Sequence, residues 1–186
     1  MIILASQSPR RKELLGHLNI PFVIRVADVD ETMDSAASPK EEVARLSRLK
    51  AEAIAHEPAD IVIAADTIVV YQDKRLGKPK DEAEAKAMLR TLSGNCHQVM
   101  TGLTVLQGDK RVTHTEITDV FFRPLTEQEI EEYVASKDPM DKAGSYGIQS
   151  GAAPFVEKIH GDYYNVVGLP VCRLSQILKE FMEETQ

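Results

Sequence analysis

Three short segments, far apart in the sequence, carry the side chains best suited to chemistry. Ser6–Arg11 ends in two arginines, Ala64–Thr67 places Asp66 in an otherwise apolar run, and Asp141–Gln149 combines small residues with a lysine and a glutamine. Cations and an amide side chain suit the binding of an anion, whereas a carboxylate in apolar surroundings suits catalysis. Together they favour hydrolysis of a nucleotide over a passive scaffold.

Ser8 and Pro9 predict the start of a helix, because serine is a preferred N-cap and proline is favoured at the first helical position. Arg10 and Arg11 then lie in the first turn, where the positive end of the helix dipole disfavours cations. A phosphate would reverse this, since free N–H groups and guanidinium forks both bind its oxygens. The alternative is a pair of solvated arginines, and the dipole alone predicts that Arg11→Ala leaves stability unchanged or slightly higher.

Asp66 lies between two apolar stretches of a predicted strand. Burying an unpaired carboxylate costs on the order of several kcal/mol, so such a residue is usually paired, metal-bound or catalytic. The alternative is a strand end or bulge that returns Asp66 to water. Strand alternation places Thr67 on the opposite face, so both residues line one site only if the strand ends or twists there.

Three further residues are weaker candidates. Glu31 belongs to an acidic loop that could lend an oxygen to Mg²⁺, which is commonly held by one or two carboxylates plus substrate phosphates. Lys78 follows Gly77 and precedes Pro79, which suits a phosphate contact from a loop. Lys50 ends a cationic stripe on a helix, for which the spacing alone favours a solvated face.

Composition limits the classes of protein to consider. A chain of 186 residues suits one domain, residues 1–186, with room for two lobes. The net charge of −7 and an aromatic content of 5% argue against stable binding to nucleic acid. No apolar stretch approaches the roughly 20 residues that a membrane span needs, so the cytoplasm is the expected location. Cys96 and Cys172 are expected to be small buried hydrophobes in a reducing compartment.

Apolar periodicity and capping signals predict interleaved helices and strands, and therefore a mixed sheet with helices packed on it. The predicted strands are residues 2–5, 21–26, 60–71, 99–106, 112–122 and 155–159. The predicted helices begin at residues 9, 38, 81, 126 and 170, and Leu18 shares the apolar face of the first. Residues 72–80 are predicted as a polar connection and residues 138–151 as a loop.

Taken in order, these segments resemble the Maf family of nucleoside triphosphate pyrophosphatases over essentially the whole chain. The matching segments are Leu4–Arg11, Asp30–Glu31, Lys50, Ala65–Thr67, Gly77–Pro79, Thr101–Gly102, Asp141–Gln149 and Gly161–Pro170. The resemblance implies an α/β fold with an elongated mixed sheet and two lobes around a cleft, similar to inosine triphosphate pyrophosphatases. It also implies cleavage of nucleoside triphosphates to the monophosphate and pyrophosphate with a divalent metal, Mg²⁺ or Mn²⁺.

The resemblance assigns roles to residues at the matching positions. Asp66 matches the proton acceptor, and Arg10, Thr67 and Gln149 match positions linked to base specificity in the branch that acts on dTTP and UTP. The tryptophan and glutamine that mark the sister branch acting on 7-methyl-GTP are absent at these positions, which places the chain in the dTTP/UTP branch. Modified pyrimidine nucleotides are further expected substrates.

The sequence therefore predicts a complete set of site residues. Asp66, Lys50 and Lys78 are predicted to be catalytic, and Glu31 and Asp66 to hold the metal. The predicted substrate-binding residues are Ser8, Arg10, Arg11, Thr67, Lys142 and Gln149. The sequence leaves open whether Asp66 is the base or a metal ligand, and whether the chain forms a homodimer. A nucleotide-sensing regulator of cell division that inhibits septum formation is the alternative from another functional class.

Overall fold

The computed structural model describes residues 1–26, 28–54 and 56–183. The strands are β1 (Ile2–Leu4), β2 (Val23–Ile24), β3 (Ile61–Tyr71), β4 (Lys74–Leu76), β5 (Cys96–Gln107), β6 (Lys110–Phe122) and β7 (Val156–His160). The helices are α1 (Pro9–Gly16), α2 (Pro39–Glu52), α3 (Glu82–Leu92), α4 (Glu127–Ala135), α5 (Tyr163–Val167) and α6 (Val171–Glu183).

The strands form a seven-stranded sheet in the order β2-β1-β3-β5-β6-β7, with β4 paired to β3 outside this path. β1 runs parallel to both β2 and β3, whereas β4 and β7 run antiparallel to their neighbours. The predicted mixed sheet with flanking helices is confirmed. The predicted strands over residues 99–106 and 112–122 correspond to β5 and β6, which are joined by a short turn at which Gly108 has a φ of 53°.

The predicted capping signals begin the helices as expected. Ser38 and Glu41 form a reciprocal capping box at α2, and Thr126 and Glu129 form another at α4. The hydroxyl of Ser8 accepts a hydrogen bond from the N–H of Arg11 and caps α1. These contacts satisfy backbone donors that the first turn of a helix leaves unpaired.

The chain divides into two compact units. The first unit comprises Met1–Asp66, Thr101–Glu116 and Gly168–Gln186, within the described residues. Its buried cluster consists of Ile3, Ala5, Ala51, Ile54, Val62, Ala64 and Leu106. Helix α2 packs very closely on β5, because a Cβ at Gly102 would lie 2.1 Å from the carbonyl oxygen of Val43.

The second unit comprises Thr67–Met100 and Ile117–Val167. Its larger core includes Val69, Leu89, Val120, Phe122 and Tyr146. Within the predicted loop over residues 138–151, the chain forms 3-10 helices at Asp138–Asp141 and Ala143–Ser145, and a third 3-10 helix follows the loop at Ala153–Phe155. Gly144 and Ser145 both have positive φ, at 69° and 63°, and their left-handed backbone turns the chain sharply before Tyr146.

Several sequence-based expectations were wrong. The polar connection over residues 72–80 contains strand β4, and α5 was not predicted. Leu18 lies beyond Gly16, where α1 ends. Cys96 and Cys172 are exposed free thiols rather than buried side chains, because each lies on the outward side of its strand or helix.

Among the described helices, none combines the length and apolar character needed to cross a membrane.

Candidate active site

The ammonium group of Lys50 brings together two of the predicted acidic residues. Its Nζ lies 2.6 Å from Oδ1 of Asp66 and 3.2 Å from Oε1 of Glu31. The Lys50 side chain is only 16% exposed, so the expected solvated helix face was wrong for this residue. Asp66 is 14% exposed, and strand β3 continues through it to Tyr71, so a strand end at Asp66 is excluded. One catalytic lysine candidate and both predicted metal ligands therefore share one site.

Separate elements deliver these three side chains. Lys50 lies in the last turn of α2, and Asp66 lies within β3. The close approach of α2 to the sheet at Gly102 brings the helix backbone near the strands. A buried hydroxyl contact of 2.8 Å between Ser47 of α2 and Thr104 of β5 fixes this packing one turn before Lys50.

The loop that carries Glu31 is fastened to α2 by a partly buried ion pair between two residues of that helix. Arg45 donates to both carboxylate oxygens of Glu42, at 2.6 and 3.0 Å, and the side chain of Glu42 is fully buried. Arg45 also donates to the carbonyl oxygen of Thr32 at 2.8 Å, while Glu42 accepts from the N–H of Asp34 at 3.0 Å. These bonds hold the loop at Thr32 and Asp34, directly after Glu31.

The N-terminus of α1 supplies the arginines. Nε of Arg11 donates to the carbonyl oxygen of Gly168 at 2.8 Å, and its guanidinium approaches the Ser6 hydroxyl at 3.5 Å. Burial lowers the pKa of Arg11, while the charges of Asp66 and Glu31 raise it and that of Arg10 lowers it. Arg11 is therefore a half-buried cation within electrostatic range of the acidic pair, and the solvated-arginine alternative is excluded for it.

In the second unit, the predicted residues Thr67, Lys78 and Gln149 differ in their exposure to solvent. Thr67 is half-buried in β3, whereas Lys78 and Gln149 are exposed. The N–H of Gly144 donates to the carbonyl oxygen of Gly77 at 3.0 Å, which joins the segment before Lys78 to the Asp141–Gln149 segment. Lys78 and Gln149 thus extend from two loops that are tied together through their backbones.

Lys142 is bound within its own segment. Its Nζ donates to the carbonyl oxygen of Asp138 at 2.7 Å, to Oδ1 of Asp138 at 3.0 Å and to Oδ1 of Asp141 at 2.9 Å. Three acceptors use the three donors of an ammonium group. A direct contact between Lys142 and a substrate would require at least one of these bonds to break, and its predicted substrate-binding role stays a prediction.

Residues 1–181 match the protein family described as Maf-like protein. The chain belongs to the Maf family. The matched range contains every predicted site residue, from Ser8 to Gln149.

Members of the Maf family from several bacteria are similar to this chain. A dTTP/UTP pyrophosphatase of Bacillus cereus strain AH820 is 55% identical over 181 residues, covering 97% of this chain and 95% of the relative. A dTTP/UTP pyrophosphatase of Bacillus thuringiensis subsp. konkukian strain 97-27 has the same identity and coverage. Among solved structures, a HAM1 protein from Coxiella burnetii has a TM-score of 0.48 at 16% identity, covering 96% of this chain and 98% of that one. The Ham1 protein of Staphylococcus aureus has a TM-score of 0.44 at 15% identity, covering 100% and 99%.

The divalent metal expected from the sequence would need oxygen donors at this site. Within residues 1–26, 28–54 and 56–183, no group of three or more His, Cys, Asp or Glu side chains could hold a metal by itself. Glu31 and Asp66 nevertheless meet at one cation, the ammonium of Lys50. Two carboxylates completed by substrate phosphate oxygens form the donor set that Mg²⁺ commonly uses, so these residues fit a substrate-assisted metal.

The sequence did not predict two hydrogen-bonded side-chain clusters in the second unit, one around Asp138 and one at His97. Asp138 accepts hydrogen bonds from Tyr133 and Ser150 as well as Lys142. His97 is 2% exposed, and its Nε2 lies 2.7 Å from the Tyr146 hydroxyl. Tyr133 follows the apolar spacing of a helix, and His97 lies in a strand. The sequence pattern therefore predicts a core position for each residue and no further role.

Proposed function

We propose that this protein hydrolyses dTTP and UTP, and modified pyrimidine nucleoside triphosphates, to the monophosphate and pyrophosphate. The observation that carries the proposal is the meeting of Glu31 and Asp66 at Lys50, beside the half-buried cation Arg11. The activity named for relatives at 55% identity supports the same reaction.

Arg11 and Lys50 supply the charge that binds the triphosphate. A guanidinium binds phosphate oxygens through a planar fork, and an ammonium binds them as a compact charge. Nε of Arg11 is already bonded to Gly168, which fixes the guanidinium plane before a ligand arrives. Lys78, exposed in its loop, is proposed as a further phosphate contact, and Ser8 and Lys142 remain proposed substrate contacts.

Asp66 is proposed to act on the attacking water. Oδ1 of Asp66 is held by Lys50, and no residue in the described part of the chain hydrogen-bonds its Oδ2. Oδ2 is therefore the atom that we assign to accept a proton as water attacks the α-phosphorus. A divalent ion held by Glu31, Asp66 and phosphate oxygens would offset negative charge on the phosphates and on the leaving pyrophosphate.

Base selection is proposed for Arg10, Thr67 and Gln149. Uracil and thymine present an acceptor at O4 beside a donor at N3, and a glutamine amide matches both. Gln149 is exposed on a turn, as a residue that reads a base must be before the ligand binds.

The alternative of a non-catalytic regulator of cell division is not favoured, because the similar proteins carry the names of pyrophosphatases. Binding to nucleic acid is also disfavoured. Two cations of the stripe on α2 are neutralised, since Arg45 is paired with Glu42 and Lys50 with Glu31 and Asp66. A cytoplasmic location is part of the proposal.

The test is hydrolysis of UTP and dTTP with Mg²⁺ or Mn²⁺ in water enriched in ¹⁸O. We expect monophosphate and pyrophosphate, with the label in the monophosphate because water attacks the α-phosphorus. Diphosphate with orthophosphate would contradict the proposal, and label in the pyrophosphate would contradict the assigned point of attack. If the protein releases no product from any nucleoside triphosphate, the result would favour the alternative of a nucleotide-sensing regulator of cell division.

A further inference from the structure

Tyr133 and Asp138, which lie outside the predicted site, hold the loop that carries Gln149. The Tyr133 hydroxyl accepts a hydrogen bond from the N–H of Gly147 at 3.0 Å and donates one to Oδ2 of Asp138 at 2.7 Å. The hydroxyl of Ser150 donates to the same oxygen of Asp138 at 2.6 Å. Residues on both sides of Ile148 and Gln149 are therefore tied to one tyrosine–aspartate pair.

The turn over residues 147–150 is also packed tightly. The N–H of Ser150 donates to the carbonyl oxygen of Gly147 at 3.1 Å, which closes the turn. A Cβ at Gly147 would lie 2.4 Å from the Ser150 hydroxyl and 2.7 Å from Cε of Lys142. Lys142 is in turn bonded to Asp138, so the turn lies against a side chain that the same aspartate anchors.

The tyrosine that holds the turn is itself fixed. Its side chain is 6% exposed, and its ring packs edge-on against Phe155 with centroids 5.3 Å apart. A Cβ at Gly151 would lie 2.7 Å from the Tyr133 ring, so the chain leaving the turn passes directly over it. Burial raises the pKa of Tyr133, and its hydroxyl keeps the proton that it donates to Asp138.

We propose that Tyr133 and Asp138 are positioning residues that set the selectivity for the base, because they fix the turn from which the Gln149 amide reaches it. This inference rests on the proposed function, in which Gln149 contacts uracil or thymine. The same amide, turned over, would match cytosine. A backbone held on both sides of Gln149 restricts the approach of the amide, whereas a loosened turn would admit the other pairing.

The test uses equilibrium binding of uridine and cytidine monophosphates, measured by calorimetry, because these ligands carry the base but need no hydrolysis. Tyr133→Phe removes only the hydroxyl, and Asp138→Asn keeps the shape but removes the charge. Tyr71→Phe is the matched control, since Tyr71 is half-buried in the same unit and its hydroxyl has no partner among the described residues. We expect the preference for uridine monophosphate to fall by roughly fivefold to tenfold in Tyr133→Phe, within the range of coupled neighbouring sites. Asp138→Asn should lower it similarly, and Tyr71→Phe should leave it unchanged.

A double-mutant cycle separates positioning from general stability. If Tyr133 acts through Gln149, Tyr133→Phe should change the preference in the wild-type background but not in Gln149→Ala. Three results would overturn the inference. The preference for uridine monophosphate could stay unchanged in both folded single variants, or Tyr133→Phe could change it equally in the Gln149→Ala background. The wild-type protein could also bind both monophosphates equally well. Release of pyrophosphate from UTP is measured separately, so a failure of the proposed function is distinguishable from a failure of this inference.

Discussion

Asp66 and Lys50 show how the candidate site keeps opposite charges together before a ligand binds. Lys50 holds Oδ1 of Asp66 at 2.6 Å and also contacts Glu31. The spacing of these residues in the sequence does not predict the ion pairs, because the pairs depend on how α2 packs on the sheet. The residue types at Asp66 and Arg11 could be identified from sequence, but their partners could not.

Replacing Asp66 by Asn tests the proposed base. The change keeps the shape of the side chain while removing the group that accepts a proton, and loss of a general base lowers rates by about 10²–10⁴-fold. We expect kcat for UTP to fall by that amount while the circular dichroism spectrum stays that of the wild type. Asp73→Asn, on an exposed turn, is the control and should retain full activity. A folded Asp66→Asn protein with normal kcat would make Asp66 a structural residue.

The environment of Arg11 changes the prediction made from the helix dipole. Nε of Arg11 donates to the carbonyl oxygen of Gly168, and Arg11→Ala leaves that acceptor without this partner. Loss of a hydrogen bond from a charged group costs about 1.5–3 kcal/mol, which exceeds the relief of removing a cation from a helix N-terminus. We expect a lower free energy of unfolding in urea and a higher KM for UTP.

Arg173→Ala, at an exposed arginine of α6, provides the comparison and should leave both quantities near the wild-type values. An Arg11→Ala protein as stable as the wild type would restore the dipole argument and show that the Gly168 contact contributes little.

Gly102 determines how closely helix α2 approaches the sheet. A Cβ there would lie 2.1 Å from the carbonyl oxygen of Val43 and 2.8 Å from the N of Ala44, both of which are backbone atoms that cannot rotate away. Forcing extra volume into a packed core typically costs about 1–3 kcal/mol. We expect Gly102→Ala to lower the melting temperature and to lower kcat, because Lys50 moves with α2.

Gly16→Ala is the matched substitution, since no atom lies within 4 Å of a Cβ at that position. It should be neutral or stabilising by up to about 1 kcal/mol, because alanine favours a helix over glycine. If both variants unfold at the same temperature as the wild type, α2 can shift without cost and the close approach is not a constraint.

The elements that the sequence predicts well are those with local signals. Ser8, Ser38 and Thr126 begin helices through side-chain caps, and Gly108 marks the turn between β5 and β6. Strand β4 was missed because its turn uses Gln72 and Asp73 with positive φ of 47° and 61°, where Asn-Gly or Asp-Gly would be the recognisable pair.

Helix α5 had a readable signal that was overlooked. The carboxylate of Asp162 accepts from the N–H groups of Tyr164 and Asn165 at 2.7 and 3.2 Å, as an N-cap does. The 3-10 helices of the predicted loop are different, because they depend on tertiary contacts such as the bond between Gly144 and Gly77. Such contacts leave no trace in local sequence.

Buried His97 couples the stability of the protein to pH. Burial lowers the pKa of His97 from its ordinary value of 6.5 to about 4. The unfolded chain therefore binds a proton first as the pH falls below 6.5, and stability is lost progressively until the folded protein also binds it near pH 4. This shift corresponds to a loss of up to about 3 kcal/mol across that window.

His97→Gln removes the titration while its amide can still pair with the Tyr146 hydroxyl. We expect the free energy of unfolding to fall less steeply between pH 6.5 and 4 in this variant than in the wild type. The carboxylates whose pKa values are lowered, such as Glu129 at about 2 beside Arg123, are common to both proteins, so the difference isolates His97. Parallel curves would show that His97 is protonated in the folded protein over this range.

The two exposed cysteines provide a means of measurement. The chain contains no others, and Cys172 belongs to the first compact unit and Cys96 to the second. Burial, together with the charge of Asp119, raises the pKa of Cys96, and the smaller thiolate fraction should slow its reaction with maleimides. A donor dye and an acceptor dye added together at a pH high enough to label Cys96 would place one dye on each compact unit in the doubly labelled molecules. Energy transfer in this unmutated protein would then report, for single molecules, whether the distance between the dyes on Cys96 and Cys172 changes when nucleotide is added.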